Sequence, residues 1–293
     1  MKERRMKIWM SGKIVGPEEA QISVLDHGLL YGDGLFEGMR IHAGRVFRLP
    51  DHLQRLGAGA RALGLELPYR LDEISQIVLE TARAFGEAQA YVRLVCTRGQ
   101  GALGVDPTGC RDPQLFCIVT SLTLYPDDKL ASGIDLITAS VRRPAVDALD
   151  PQIKSLNYLN SVLAKREARL QGADEALILN GRGLVAEAAV ANVFVVRGQR
   201  LLTPPTTDGA LPGITRRSVM EIALELGIPA VESSLGRLDF FQADEVFITG
   251  SGAGIVPVAR LDGQPVGQGD SAPVTQRIRR AFPQFAERMG VPF

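Results

Sequence analysis

The chain has 293 residues, of which 45% are apolar, with 33 Lys/Arg balanced by 33 Asp/Glu. Zero net charge argues against a nucleic-acid or anionic-membrane partner. No run of about 18 apolar residues occurs, which argues against a spanning helix. The composition fits one large domain or two of ordinary size, each able to build a full core.

The charged segment 1–7 has no apolar stretch behind it and does not read as a secretory signal. Residues 7–15 read as a hairpin turning at Ser11-Gly12. A second hairpin has arms 36–42 and 45–48 and turns at Ala43-Gly44. Pro50-Asp51 opens a helix with Leu53, Leu56, Ala60 and Leu63 at helical spacing, and Gly64 ends it. Another helix runs from Leu71 to about Gly86, with Asp72 and Glu73 in its first turn where the helix dipole favours acids. Residues 90–98 and 114–122 read as buried strands. The Gly/Pro loop between them, 99–113, is long enough to be a functional loop.

The segment 125–132 is polar, contains Pro126 and lacks periodicity, so it reads as a linker. It divides the chain into an N-terminal α/β domain, 1–124, and a C-terminal domain, 133–293. Strand 133–140 leads into an irregular stretch, 142–152, that delivers Lys154 to a helix spanning 156–170. Strands follow at 175–180, 183–187 and 191–197, with a turn at Asn180-Gly181. A loop at 203–213 precedes a helix over 214–226 that ends at Gly227. Short strands at 246–249 and 255–260 flank Gly250-Ser251-Gly252-Ala253-Gly254, and a last helix covers about 273–288. The whole is an α+β chain of two domains.

Cysteines 96, 110 and 117 are odd in number and lack C-x-x-C spacing. They suggest a reduced, cytoplasmic protein without a structural disulfide. His27, His42 and His52 lack metal-ligand spacing, so no metal is expected.

A few features could carry chemistry. Lysine is scarce, at positions 2, 7, 13, 129, 154 and 165 only. A lysine kept at 154 in an arginine-rich chain suggests an amine that must lose its proton and attack a carbonyl, although alone it reads more readily as a surface residue. Leu211-Pro212-Gly213-Ile214-Thr215-Arg216 sets a Gly before a helix start, leaving backbone N–H groups and a hydroxyl to face an anion. An ordinary helix start is the plain alternative. The Gly250–Gly254 run could approach a ligand, but strand-like Ile255-Val256-Pro257-Val258 follows, so a dinucleotide loop fails its structural test and a tight turn is the plain alternative. Glu187 lies in an otherwise uncharged stretch of small residues; if buried it needs a partner such as a protonated ring nitrogen, and if exposed it is an ordinary hairpin acid. Amine, phosphate seat and acid together describe pyridoxal 5′-phosphate (PLP).

The sequence resembles the fold-type IV (D-amino acid aminotransferase-like) PLP aminotransferases, most of all the branched-chain amino acid aminotransferases. The resemblance runs from about Trp9 to Phe282. It rests on Tyr31-Gly32-Asp33-Gly34-Leu35-Phe36-Glu37-Gly38-Met39-Arg40, on Phe47-Arg48-Leu49 with His52-Leu53-Gln54-Arg55-Leu56, and on Tyr91-Val92-Arg93. Leu103-Gly104-Val105-Asp106-Pro107, Lys154-Ser155-Leu156-Asn157-Tyr158-Leu159-Asn160 and the 211–216 run complete it. The resemblance implies that Lys154 carries the cofactor as an internal aldimine and acts as base. It implies that Tyr158 bonds the phenolic oxygen, Glu187 pairs with the ring nitrogen and Leu211 packs on the ring. Arg48, Gly213, Ile214, Thr215, Gly250 and Ser251 would hold the phosphate. Tyr31, Phe36, Gly38, Arg40, Tyr91, Arg93, Gly252 and Ala253 would shape the substrate pocket, with Tyr31 and Val105 crossing from a partner subunit of a homodimer or higher oligomer. Arg93 matches the arginine for the distal carboxylate of 2-oxoglutarate, whereas Thr97-Arg98-Gly99 resembles the carboxylate arginine of D-amino acid transaminases. Spaced five apart, Arg93 and Arg98 face opposite sides of a regular strand.

The implied activity is ping-pong transfer of an amino group from branched-chain or aliphatic L-amino acids to 2-oxoglutarate. D-amino acid transaminase, (R)-amine transaminase, aminodeoxychorismate lyase and a non-catalytic phosphate-binding module are the rivals. The sequence departs from the family at Ala188-Ala189-Val190-Ala191, and at Gly252-Ala253 where an Ala-Ala pair is usual.

Overall fold

A computed structural model describes residues 6–267 and 272–293. The chain divides into two compact units: unit 1 is Met1–Leu122, Ile153–Asn157 and Ala286–Phe293, and unit 2 is Thr123–Gln152 and Tyr158–Phe285. Two short segments, one bearing Lys154, therefore return to unit 1 from beyond the expected boundary.

In unit 1, strands β1 (Met6–Met10) and β2 (Lys13–Val15) form a hairpin. Helix α1 (His27–Tyr31) precedes β3 (Gly34–His42) and β4 (Arg45–Phe47), which form a second hairpin. Both turns need positive φ, supplied by Ser11-Gly12 and Ala43-Gly44. Helices α2 (Leu49–Leu63) and α3 (Leu71–Phe85) each end on a left-handed glycine, Gly64 and Gly86. Strands β5 (Ala90–Thr97) and β6 (Leu115–Thr120) complete a seven-stranded sheet in the order C-terminal strand (Gly290–Pro292), β4, β3, β5, β6, β1, β2.

Alternation along β3 and β5 gives this sheet two different faces. Leu35, Met39, Ile41, Val92 and Leu94 join Leu53, Leu56, Ile74, Val78 and Phe85 of α2 and α3 in the core. Each such side chain contributes about 1.5–3 kcal/mol when fully buried. Phe36, Gly38, Tyr91 and Arg93 occupy the alternate positions, with Gly38 opposite Arg93 in the β3–β5 register.

Glu37 shares the core face and is fully buried. Its carboxylate accepts from Arg55 Nε (2.8 Å), Arg55 Nη2 (2.7 Å) and His52 Nδ1 (2.7 Å). Burial alone would raise this group, but Arg55 and His52 outweigh it and hold the carboxyl at about 2. Burial pushes His52 below its ordinary value, against the pull of Glu37.

Unit 2 opens with α4 (Asp127–Ser132). The expected linker 125–132 thus contains a helix, with Asp127 and Asp128 in its first turn. There follow β7 (Ile134–Arg142), α5 (Leu159–Leu170), β8 (Glu175–Leu179), β9 (Val185–Ala188), β10 (Asn192–Arg197) and β11 (Arg200–Thr203). Helix α6 (Ile214–Glu225), β12 (Ala230–Glu232), α7 (Arg237–Phe241), β13 (Glu245–Gly250), β14 (Gly254–Leu261), β15 (Gln264–Pro265) and α8 (Pro273–Arg288) as far as Phe285 complete it. The second sheet runs β12, β11, β10, β13, β14, β7, β8, β9, with β15 beside β14. Helix α5 starts three residues later than its periodicity suggests, because 153–157 is held in unit 1. Among the described residues no helix is long and apolar enough to cross a membrane, and no His/Cys/Asp/Glu group could hold a metal ion.

Candidate active site

Lys154 is fixed by main-chain bonds rather than by a helix. Phe36 N donates to Lys154 O (3.1 Å), Leu156 N donates to Gly34 O (2.9 Å), and Ser155 bridges Leu35. The segment lies alongside β3 and sets Lys154 Nζ 4.3 Å from the centre of the Phe36 ring. The same ring carries the Arg93 guanidinium at 4.5 Å. Arg93 Nε donates to the Tyr91 hydroxyl (3.2 Å). Gly38 leaves room for that hydroxyl, since a Cβ there would lie 2.2 Å from it. Amine, aromatic floor and cationic end therefore share one patch of unit 1.

The two candidate arginines separate cleanly. Arg98 Nε and Nη2 grip the Asp33 carboxylate at 2.8 and 3.0 Å. Its Nη1 donates to Gly64 O and its Nη2 also to Leu63 O, the last carbonyls of α2. Arg98 is thereby tied to Asp33 and to the C-terminal end of α2. Arg40 Nη1 donates to Leu122 O (2.9 Å), and burial holds its guanidinium below the ordinary value, against the pull of Tyr91. Arg48 caps α2 in the left-handed region (φ 52°), a conformation that non-glycine residues adopt rarely and often at functional sites, and its Nη1 reaches Asp51 at 3.3 Å.

Loop 99–113 is tied to α1. Gly101 N donates to Leu25 O, His27 Nε2 meets Ala102 O (3.0 Å), and Gly104 N donates to the Tyr31 hydroxyl (2.8 Å). Leu103 and Val105 stand 78% and 82% exposed at its tip.

Unit 2 brings the acid Glu187 close to the start of α6. Glu187, on β9, is buried at 5% exposure. Its Oε2 accepts from Asn192 Nδ2 (2.9 Å) and Leu211 N (3.1 Å), and its Oε1 lies 2.6 Å from Arg143 Nη2. Asn192 Nδ2 also donates to Leu211 O (2.9 Å). A Cβ on Gly213, the N-cap of α6, would lie 1.9 Å from Asn192 Oδ1, so only glycine lets the helix start this close. Thr215 Oγ1 is buried in the first turn of α6 without a hydrogen-bond partner among the described residues, as is Thr249 Oγ1 just before Gly250. Buried hydroxyls left unsatisfied cost free energy unless a ligand completes them. A phosphate at the N-terminus of α6 would complete Thr215 and meet the free backbone N–H groups of that turn. Gly250 pairs with Gly254 across a hairpin, so Ser251, Gly252 and Ala253 form a half-exposed tip. Tyr158 caps α5. Arg143, Asn192 and Thr249 escape the sequence reading; the Arg142-Arg143 pair in the irregular stretch before Lys154 is the one available signal.

Amine, acid and phosphate seat are the three demands of one cofactor, and the class they define is a PLP enzyme. Residues 34–261 match the family model described as amino-transferase class IV. The chain belongs to that family. It is 45% identical over 287 residues to a putative branched-chain-amino-acid aminotransferase of Methanocaldococcus jannaschii, covering 98% of each chain. The crystal structure of the Escherichia coli branched-chain amino acid aminotransferase superposes with a TM-score of 0.92 at 35% identity, over 96% of this chain and 94% of that one. The branched-chain amino acid aminotransferase of Thermobaculum terrenum, in its PLP form, gives a TM-score of 0.88 at 30% identity, over 98% of this chain and 96% of that one.

Proposed function

We propose that this protein is a branched-chain amino acid aminotransferase that passes the amino group to 2-oxoglutarate. The observation that carries the reading is Lys154 Nζ held over the Phe36 ring, with Arg93 on the same ring. PLP supplies the electron sink that makes the substrate Cα acidic. Lys154 would hold that cofactor through its aldehyde and, when released from it, would serve as the general base and acid for the substrate Cα proton. Glu187 would pair with the ring nitrogen, while Gly213–Thr215, Arg48 and Ser251 would hold the phosphate. Tyr158 would bond the phenolic oxygen and Leu211 would pack on the ring. Phe36, Gly38 and the Tyr91 ring give an apolar wall for aliphatic side chains, and Arg93 takes the distal carboxylate of 2-oxoglutarate or L-glutamate. The commitment of Arg98 to Asp33 and α2 weighs against the D-amino acid reading.

The protein acts as a homodimer in this proposal. Val24, Leu25, Leu29, Leu103 and Val105 are exposed apolar residues around α1 and the loop bound to it, which supports an interface there. Tyr31 and Val105 would reach the partner's pocket. Three free cysteines support a cytoplasmic location.

The test is a half-reaction panel with L-leucine, L-glutamate, D-alanine and an (R)-amine, read from the loss of the cofactor's yellow colour. The proposal expects L-leucine and L-glutamate to bleach it. Response to D-alanine with none to L-leucine would overturn it.

A further inference from the structure

We infer that Arg143 is a positioning residue for the ring-nitrogen acid: its guanidinium keeps Glu187 an anion, so that a proton shared between Glu187 and the cofactor's ring nitrogen resides on nitrogen. The inference rests on the functional reading above and deepens it.

Glu187 is buried, and a buried carboxylate without a counter-charge tends to take up a proton. Asn192 Nδ2 and Leu211 N are neutral donors, both on Oε2. Arg143 brings a full positive charge to Oε1 at 2.6 Å. Two arrangements of the shared proton compete. With the proton on nitrogen, the carboxylate stays ionised in contact with Arg143. With the proton on Glu187, that ion pair is lost and a guanidinium whose side chain is only 11% exposed faces a neutral acid, which is costly. Arg143 would also repel a cationic ring. The direct contact is the shorter one and prevails.

Arg143 is built into this place rather than lying across it. Its Nε donates to Gly209 O (3.0 Å) and its main-chain N donates to Leu179 O (2.9 Å). Gly209 sits at φ +102°, and a Cβ there would come within 3.1 Å of Arg143 Cγ. A side chain at 209 would thus be strained in the backbone and would crowd the arginine stem.

The experiment loads wild type and Arg143→Met with PLP labelled with ¹⁵N at the ring nitrogen. It records the ¹⁵N chemical shift, the PLP dissociation constant by equilibrium dialysis, and the melting temperature of each holoprotein. Wild type should show a protonated ring. A folded Arg143→Met should move toward the neutral-pyridine shift, bind PLP about tenfold more weakly and lose kcat more than KM. Arg143→Lys, which keeps the charge, should restore ring protonation. A folded Arg143→Met with the wild-type ¹⁵N shift would overturn the inference and leave the functional reading intact. A wild type that takes up no PLP would overturn both. If Arg143→Met does not fold, Arg143→Gln decides: ring protonation lost supports the inference, and protonation retained overturns it.

Discussion

Replacing Gly38 by alanine tests the specificity wall directly. The new methyl would sit 2.2 Å from the Tyr91 hydroxyl and 3.1 Å from Tyr91 Cζ. Ordinary contact begins at 3.4 Å, so the hydroxyl must retreat by about 1.2 Å. Tyr91 is rooted in β5, paired on both sides by β3 and β6, so the ring tip moves and the strand stays. The 3.2 Å bond from Arg93 is then lost. A hydrogen bond from a charged donor is worth about 1.5–3 kcal/mol, so losing its control over Arg93 should raise the KM for 2-oxoglutarate by roughly tenfold or more. L-Leucine meets the same wall but has no distal carboxylate, so its half-reaction should lose less than that of L-glutamate. Steady-state kinetics against 2-oxoglutarate, with stopped-flow half-reactions for L-leucine and L-glutamate, separate the two effects. Wild-type KM for 2-oxoglutarate in Gly38→Ala would refute the reasoning. Equal losses on both amino acids would show that the Tyr91–Arg93 pair does not read the distal carboxylate.

The two arginines should part in the same assay. Arg93→Met should raise the KM for 2-oxoglutarate by about tenfold with little change in melting temperature, whereas Arg98→Met should leave that KM alone and cost about 3 kcal/mol by stranding Asp33 and the end of α2; thermal melts beside kinetics check both, and the reverse pattern would restore Arg98 to the pocket. Glu37, lowered to about 2 from an ordinary 4.5, contributes about 3 kcal/mol that is fully present above pH 4.5 and lost as pH falls toward 2. His52, also depressed, adds stability above its ordinary 6.5 that fades as pH falls below it. Urea unfolding across pH should therefore show Glu37→Gln less stable by about 3 kcal/mol at pH 7, with a flattened acid limb between 4.5 and 2; an unchanged limb would count against the buried ion pair.

What could be read from the sequence was what local chemistry decides. Ser11-Gly12 and Ala43-Gly44 announce turns because the chain must pass through positive φ there. Gly64 and Gly86 stop helices for the same reason. Gly213 before Ile214-Thr215 marks the start of α6, where the first N–H groups lack helical partners. What could not be read depended on partners distant in the chain. Helical periodicity begins at Leu156, yet 153–157 lies beside β3, a pairing no local window contains. Strand alternation separates Arg93 from Arg98 but does not say which one faces the site. Asp33 and the carbonyls at the end of α2, the partners of Arg98, lie outside any local window. Arg143 and Asn192 were invisible as partners of Glu187 for the same reason. The short strands β11, β12 and the C-terminal strand, and helix α7, have too little pattern of their own to stand out from the loops around them.

The central claim is that Lys154 is the amine that holds PLP. Borohydride reduction of the PLP-loaded protein, followed by digestion and mass mapping, tests it most directly. The account predicts one pyridoxyl adduct, on the peptide bearing Lys154, and its disappearance together with transamination in Lys154→Ala. An adduct on Lys129 or Lys165 instead, or turnover that survives in Lys154→Ala, would contradict it.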